Sequence, residues 1–153
     1  SRSLVLEMPL KKNSKVVVLM VLVTTSIKLN TLKHDENIMT LQDFLEKLHA
    51  KPELIHFSET LETIESNYNY IPTNFTNGSQ LNKAGENVGS CKILAFAYIN
   101  NLTITETLNC FGHYFREDVI SNPAGNDHQN IRQFILDGFD GLKFDVLPLQ
   151  FKD

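Results

Sequence analysis

The chain has 153 residues, 42% of them hydrophobic, with ten Phe and no Trp, which is enough apolar material for one globular domain with a sizeable core. Its formal net charge is −4. Nucleic-acid-binding proteins usually present a basic face, and no Lys/Arg cluster interleaved with aromatic residues occurs here, so no nucleic-acid partner is expected. Two cysteines are too few for a disulfide framework and favour a reducing compartment such as the cytoplasm, although a Cys91–Cys110 bridge remains an alternative.

The first 38 residues differ in composition from the rest of the chain. Three lysines precede the apolar run 16–23, an arrangement that resembles the charged and apolar regions of a secretory leader. Because this run is far shorter than the ~20 residues that span a bilayer, no transmembrane helix is expected, and any membrane contact would come through this extension. A leader, a buried or edge strand, a partner-binding segment and non-native sequence ahead of Met39 are open alternatives for residues 1–38.

Two helices are predicted in the segment 40–67. A capping box formed by Thr40 and Asp43 starts the first helix, whose apolar residues recur at helical spacing. Pro52 is expected to open the second helix, which ends near Asn67 and turns an acidic face to solvent.

The segment 68–88 lacks helical periodicity and is rich in Gly and Asn. Asn77-Gly78 is a turn signal, which predicts a small β-hairpin with strands at 73–76 and 79–82. An ordered loop of this length inside a compact domain is usually functional.

A third helix is predicted from Cys91 to Asn100, with Ser90 as its N-cap. It is apolar on nearly all sides and should be the central buried element. A thiol at a helix N-terminus lies beside unpaired N–H groups and the positive end of the helix dipole, and Lys92 adds a positive charge. This position would allow Cys91 to ionise more readily than a free thiol, but a lone cysteine on an apolar helix is more often a small core residue.

A further helix is predicted to start at a second capping box, Thr103 and Glu106, and to run to about Ile120. Gly112 within it indicates a close backbone crossing. We expect Asp127 to be the N-cap of the last helix, which Gly138 ends.

Residues 141–146 alternate as a strand would. The predicted fold is therefore a mainly helical α+β domain, with a small β-hairpin and a short C-terminal strand.

Four motifs at 82–92, 111–119, 127–132 and 138–144 read NKAGENVGSCK, FGHYFREDV, DHQNIR and GFDGLKF. In this order and spacing they resemble the HopJ family, over residues 39–147. The resemblance divides the chain into an N-terminal extension, 1–38, a HopJ-like domain, 39–147, and a C-terminal tail, 148–153. The family pattern has a second Tyr where this chain has Phe115 and a Trp where it has Phe139.

The resemblance implies a type III effector-family protein of unassigned biochemical activity. Such a protein would be cytoplasmic, or secreted into a host cell if it is a true effector. We expect it to recognise a protein or a small anionic ligand through a polar site.

The residues also suggest thiol catalysis by Cys91 and His128, in which the imidazole takes the proton of the thiol and the thiolate attacks a carbonyl. Asp127 or Asn130 would orient the imidazole, and backbone N–H groups of the turn from Gly89 to Lys92 would hold an oxyanion. This alternative predicts a hydrolase or acyl transferase. In a third alternative, the run 16–23 packs against a partner in a larger assembly.

A metal site is a weaker alternative, because His113 and Glu117 are four residues apart on one helix face and Asp127-His128 could approach them. The same spacing is typical of an ordinary solvent-exposed pair. We expect neither a metal nor a cofactor.

Arg116 and Arg132 could form an anion pocket with the start of the third helix, unless they pair with nearby carboxylates. The candidate catalytic residues are thus Cys91, His128 and Asp127. The candidate ligand-binding residues are Asn82, Asn87, Ser90, Lys92, Tyr114, Arg116, Asn130 and Arg132.

Overall fold

The computed structural model describes residues 39–153. The predictions for residues 1–38, including the leader and the apolar run 16–23, lie outside the described residues. Within 39–153, no helix is both long enough and apolar enough to cross a bilayer.

The described chain is a mainly helical α+β domain, as predicted. Its α-helices are α1 (Leu41–Ala50), α2 (Phe57–Asn67), α3 (Val88–Ile99), α4 (Ile104–Asn109) and α5 (Gln129–Asp137). Its strands are β1 (Tyr68–Tyr70), β2 (Phe75–Asn77), β3 (Gln80–Asn82), β4 (Leu142–Phe144) and β5 (Leu149–Phe151). Short 3-10 turns occupy Pro52–Leu54 and Gly138–Gly141, and a π-helical turn occupies Tyr114–Val119.

The strands form two small antiparallel sheets. In the first, β1 pairs with β5, so that Tyr68 lies opposite Phe151. In the second, β2 lies between β3 and β4, and Phe75 lies opposite both Asn82 and Phe144. The second sheet therefore ties the predicted hairpin to the predicted C-terminal strand.

The centre of the core is α3, as its all-round apolar sequence predicts. Cys91 and the run 93–97 are buried on it. Phe96 packs edge-to-face against Phe44 of α1 and against Tyr68 of β1, with ring centroids 5.8 and 6.0 Å apart. Burying each large apolar side chain contributes about 1.5–3 kcal/mol to the stability of the fold. The packing against α3 therefore holds α1 and β1 in position.

Both predicted capping boxes mark real helix starts. The Thr40 hydroxyl accepts a hydrogen bond from the Asp43 N–H at 3.0 Å. At the start of α4 the bonds are reciprocal, since the Thr103 hydroxyl accepts from the Glu106 N–H at 3.1 Å and the Glu106 carboxylate accepts from the Thr103 N–H at 2.9 Å.

The prediction of one helix from Pro52 to Asn67 is wrong. A 3-10 turn forms instead, and α2 begins at Phe57 after two extended residues. The Arg116 guanidinium donates hydrogen bonds to the carbonyls of Pro52 and Ile55, which a continuous helix would use internally.

The prediction of one helix from Thr103 to Ile120 is also wrong. Helix α4 ends at Asn109, and Gly112 adopts a left-handed φ of +60° before the π-helical turn. A Cβ atom at Gly112 would lie 2.7 Å from the backbone nitrogen of Phe57, so the predicted close backbone crossing is confirmed.

The hairpin is confirmed, but its turn is one residue later than predicted. Asn77 pairs with Gln80, and Gly78 and Ser79 make the turn. Gly78 has a φ of +58°, which suits glycine at this position.

The segment 148–153, expected to be a tail, contributes strand β5. Leu149 is buried, and the Phe151 ring stacks on Tyr68 with centroids 4.5 Å apart. The partner strand lies about 80 residues away in sequence, so local pattern carries no signal for this pairing.

Replacing Gly112 with alanine should destabilise the protein more than replacing Gly85 with alanine. Both residues have positive φ, which costs an alanine about 1–2 kcal/mol, but a Cβ at Gly85 meets no atom within 4 Å. Gly112→Ala adds a backbone clash, so we expect its free energy of unfolding in urea to be lower by at least about 2 kcal/mol than that of Gly85→Ala. Equal losses would contradict the close crossing.

Candidate ligand-binding site

A half-open cavity of about 550 Å³ lies between the starts of α3 and α5. It is lined by Phe57, Gln80, Asn87, Gly89, Ser90, Phe111, Tyr114, His128, Gln129, Asn130 and Ile131. Five of the sequence-predicted site residues therefore meet here, from three separate motifs: Asn87, Ser90, Tyr114, His128 and Asn130.

A network of asparagine side chains supports the floor of this cavity. The Asn82 oxygen accepts hydrogen bonds from the side-chain amides of Asn87 (2.7 Å) and Asn130 (2.9 Å). The Asn82 amide in turn donates to the Asn130 oxygen at 3.3 Å, so these two side chains form a reciprocal pair. Asn77 donates to the Asn130 carbonyl and side-chain oxygens at 2.8 and 3.1 Å. The network joins the hairpin to the starts of both helices.

The two helices that point their N-termini at the cavity begin in an unusual way. Asn87 precedes α3 and His128 precedes α5, and both have left-handed backbones with φ of 50°. Such a conformation is uncommon for residues other than glycine, although asparagine adopts it more readily than most, and Asn101, outside the cavity lining, has it too. Neither side chain caps its helix.

The predicted N-caps of these helices, Ser90 and Asp127, are therefore wrong. Helix α3 starts two residues before Ser90, and its first helical hydrogen bond is accepted by the Asn87 carbonyl, so Ser90 lies inside the helix. Asp127 does not cap α5, because its carboxylate binds the guanidinium of Arg132 at 2.5 Å.

The first N–H groups of both helices are left without a helical partner. The first helical bond of α3 runs from the Cys91 N–H to the Asn87 carbonyl, at 2.9 Å. The N–H groups of Gly89 and Ser90 precede it, and those of Gln129 and Asn130 hold the same position in α5. All four of these residues line the cavity.

Aromatic rings form one wall of the cavity. Phe57 and Tyr114 meet edge-to-face, with centroids 4.9 Å apart and planes at 85°. The His128 ring lies 5.1 Å from the Tyr114 ring at 46°. We call Phe57, Tyr114 and His128 the ring wall.

His128 is oriented by a residue that the sequence analysis missed. Its Nε2 lies 3.0 Å from the Asp118 carboxylate and 3.8 Å from that of Asp127. A hydrogen bond from Arg132 lowers the pKa of Asp127, which fits its closer engagement with the arginine. Asp118 and Glu117 are adjacent in the motif 111–119 on the π-helical turn, and no local pattern distinguishes the two carboxylates.

Cys91 does not line the cavity, and its thiol is not activated. It is 1% exposed, and burial raises its pKa to about 11, which the nearby Tyr70 and Lys92 side chains offset only in part. Cys91 is therefore the small core residue that a lone cysteine on an apolar helix usually is, and the alternative of a lowered pKa is wrong, because the cost of burying a thiolate exceeds the favourable effect of the helix start. Cys110 is also a free, buried thiol, so the alternative disulfide is not formed.

The predicted cationic ligand-binding residues have other partners. Lys92 pairs with Glu65 at 3.2 Å and lies 5.1 Å above the Tyr70 ring. Arg116 also bonds the carbonyl and side-chain oxygens of Asn109, at 3.2 and 3.0 Å. Arg132 donates to the carbonyls of Asp127, Asn122 and Pro123. These guanidinium groups hold loops in place and do not line the cavity.

The alternative metal site is not assembled. Across residues 39–153, no group of three or more His, Cys, Asp and Glu side chains is arranged to hold a metal ion. His113 instead packs its ring against Tyr114, with centroids 4.1 Å apart.

Sequence reasoning missed several residues of the cavity. Phe57 and Gln80 lie outside the four motifs, and Gln129 lies within the motif 127–132 but is not among the candidate site residues. Only the fold brings these residues, from three distant segments, to one cavity.

Comparison with known proteins gives a family and a structure. The sequence model described as HopJ type III effector protein matches residues 41–149. A crystal structure described as that of "unknown function protein VPA0580" is 49% identical, with a TM-score of 0.72, over 73% of this chain and 93% of that chain. No curated protein matches the chain. Neither the family description nor the description of the crystal structure names a substrate or ligand.

Cys91 should resist alkylation in the folded protein. A thiol with a pKa of about 11 has roughly 100-fold less thiolate at pH 8 than one with the ordinary value of 9.0, and burial slows access further. We expect iodoacetamide to modify native Cys91 at least about 100-fold more slowly than it modifies the denatured chain, as measured by peptide mass spectrometry. His128→Ala should leave that rate unchanged. Fast modification that depends on His128 would instead support thiol catalysis.

Removing the Asn82 side chain should destabilise the fold. Asn82→Ala removes the acceptor of the buried Asn130 side-chain amide, and a buried unpaired donor costs about 1–3 kcal/mol. The Asn87 amide also loses its acceptor, but Asn87 is exposed and can bind water instead. We expect urea denaturation to show a loss of about 1–3 kcal/mol, against less than about 0.5 kcal/mol for the exposed control Asn69→Ala. Similar losses in both variants would show that the network contributes little.

Proposed function

The chain belongs to the HopJ type III effector protein family, and we propose that it acts by binding a small anionic ligand in the cavity between α3 and α5. The observation that carries this proposal is the cavity itself. Its volume of about 550 Å³ suits a small molecule, and it combines aromatic rings with hydrogen-bonding side chains. As a type III effector, the protein would meet this ligand after delivery into a host cell.

The preference for an anion is supported by the helix starts. Unpaired N–H groups and helix dipoles favour negative charge at a helix N-terminus, and two helices contribute such groups to this cavity. Among the described lining residues there is no Asp or Glu to repel an anion. The two carboxylates beside His128 are both engaged, that of Asp118 by His128 and that of Asp127 by Arg132.

The asparagine network supports the proposal by holding the site in place before a ligand arrives. Asn82 fixes Asn87 ahead of α3 and Asn130 in the first turn of α5. Ordering these groups in advance lowers the entropic cost of binding. The strained backbones of Asn87 and His128 are consistent with a binding role.

Thiol catalysis is not favoured as a second function. The thiol of Cys91 is buried, outside the cavity lining and raised in pKa. A role as an assembly subunit depends on the run 16–23, which lies outside the described residues.

A carboxylate side chain introduced at the start of α3 should occupy the proposed anion site and prevent anions from binding there. Ser90→Asp places a negative charge among the unpaired N–H groups of the cavity, so we expect the free energy of unfolding to rise by about 0.5 kcal/mol. In amide NMR spectra of the wild-type chain, inorganic phosphate and acetate should each shift the signals of Gly89, Ser90, Gln129 and Asn130. Those shifts should be lost in Ser90→Asp.

Ser58→Asp is the matched control, because it puts the same charge in the first turn of α2 at an exposed residue outside the cavity lining. It should retain the anion-dependent shifts. The proposed function fails if neither anion shifts the four amide signals of the wild-type chain, or if Ser90→Asp binds as the wild-type chain does.

A further inference from the structure

We propose that the ligand carries a planar aromatic ring, which packs against the ring wall while a carboxylate or phosphate on that ring lies at the helix starts. This inference rests on the proposed function and deepens it by naming the chemical class of the ligand.

The ring wall offers aromatic surface that the protein itself leaves uncovered. Phe57, Tyr114 and His128 are each only partly buried, and all three line the cavity. Phe57 and Tyr114 meet at 85°, so they form a corner and do not stack face to face. A planar ring placed in this corner can stack on one side chain and meet the edge of the other, which are the two arrangements that aromatic pairs prefer.

The ring wall directly adjoins the start of α3. A Cβ atom at Gly89 would lie 3.4 Å from the Cζ atom of Phe57, which is van der Waals contact. A ligand ring against Phe57 therefore holds a substituent close to the N–H groups of Gly89 and Ser90. This short separation favours an acidic group attached to the ring itself over one on a long chain.

The remaining lining residues suit a ligand whose other substituents are neutral. Gln80, Asn87 and Gln129 present amide groups, which both donate and accept hydrogen bonds. No Lys or Arg occurs among the described lining residues to bind a second anionic group, and the His128 ring is engaged by Asp118. A hydroxyl or carbonyl substituent on the ring would find partners here.

Three carboxylates test this inference on the full chain. Benzoate has the ring and the anion, cyclohexanecarboxylate has similar size without the aromatic ring, and acetate has the anion alone. Because aromatic contacts add to simple burial, we expect benzoate to bind about threefold to tenfold more tightly than cyclohexanecarboxylate, as measured by amide NMR titration. Acetate should bind more weakly than both.

Variants of the ring wall should remove this discrimination. Tyr114→Leu and Phe57→Leu each keep apolar bulk but remove an aromatic ring, so benzoate and cyclohexanecarboxylate should then bind with equal affinity. Tyr98→Leu is the matched control, because Tyr98 is an exposed tyrosine that lines a different cavity, beside Phe139. It should retain the full preference for benzoate.

The outcomes separate this inference from the proposed function. If acetate shifts the amide signals at the helix starts but benzoate binds no better than cyclohexanecarboxylate, the ring inference is overturned and anion binding stands. If none of the three carboxylates shifts those signals, both proposals fail. Should one leucine variant not fold, the other variant and the wild-type titrations still decide the question.

Discussion

The structure of the site depends on the reciprocal amide pair between Asn82 and Asn130. Asn82 ends the β-hairpin and Asn130 lies in the first turn of α5, so this pair joins two segments that are 48 residues apart in sequence. Asn87 adds α3 to the same network. Because buried amides are costly when unpaired, the network specifies one arrangement of the hairpin and the two helix starts.

The backbone and side-chain arrangement at the two helix starts explains why uncapped N–H groups lie at the cavity. Asn87 has a left-handed backbone where an N-cap residue is normally extended, and its side chain makes no capping hydrogen bond, so the first N–H groups of α3 are left without a cap. His128 is turned toward Asp118, and α5 likewise starts without a side-chain cap. The protein thus gives up two helix caps, each typically worth about 1 kcal/mol, at the place where it forms a cavity. Missing helix caps at a cavity are expected where a bound ligand accepts hydrogen bonds from the uncapped N–H groups.

Much of the fold follows from local sequence. The all-round apolar pattern of α3 predicts its central position, and the capping boxes at Thr40 and Thr103 mark helix starts correctly. Gly112 signals the close crossing with Phe57. The errors fall where tertiary contacts override local preference. Arg116 takes the carbonyls that a helix from Pro52 would need, and β5 forms only because it pairs with a strand far away in sequence.

The sequence by itself determined the family resemblance, the helical α+β class and the motifs that supply Asn87, Ser90, Tyr114, His128 and Asn130. Only the tertiary structure decided their roles. It buried Cys91, whose thiol the helix start alone would have activated, and it brought Phe57 to the cavity from another helix. The physical reason is that helix starts and turns follow from neighbouring residues, whereas burial, pKa and the lining of a cavity depend on which distant segments pack together.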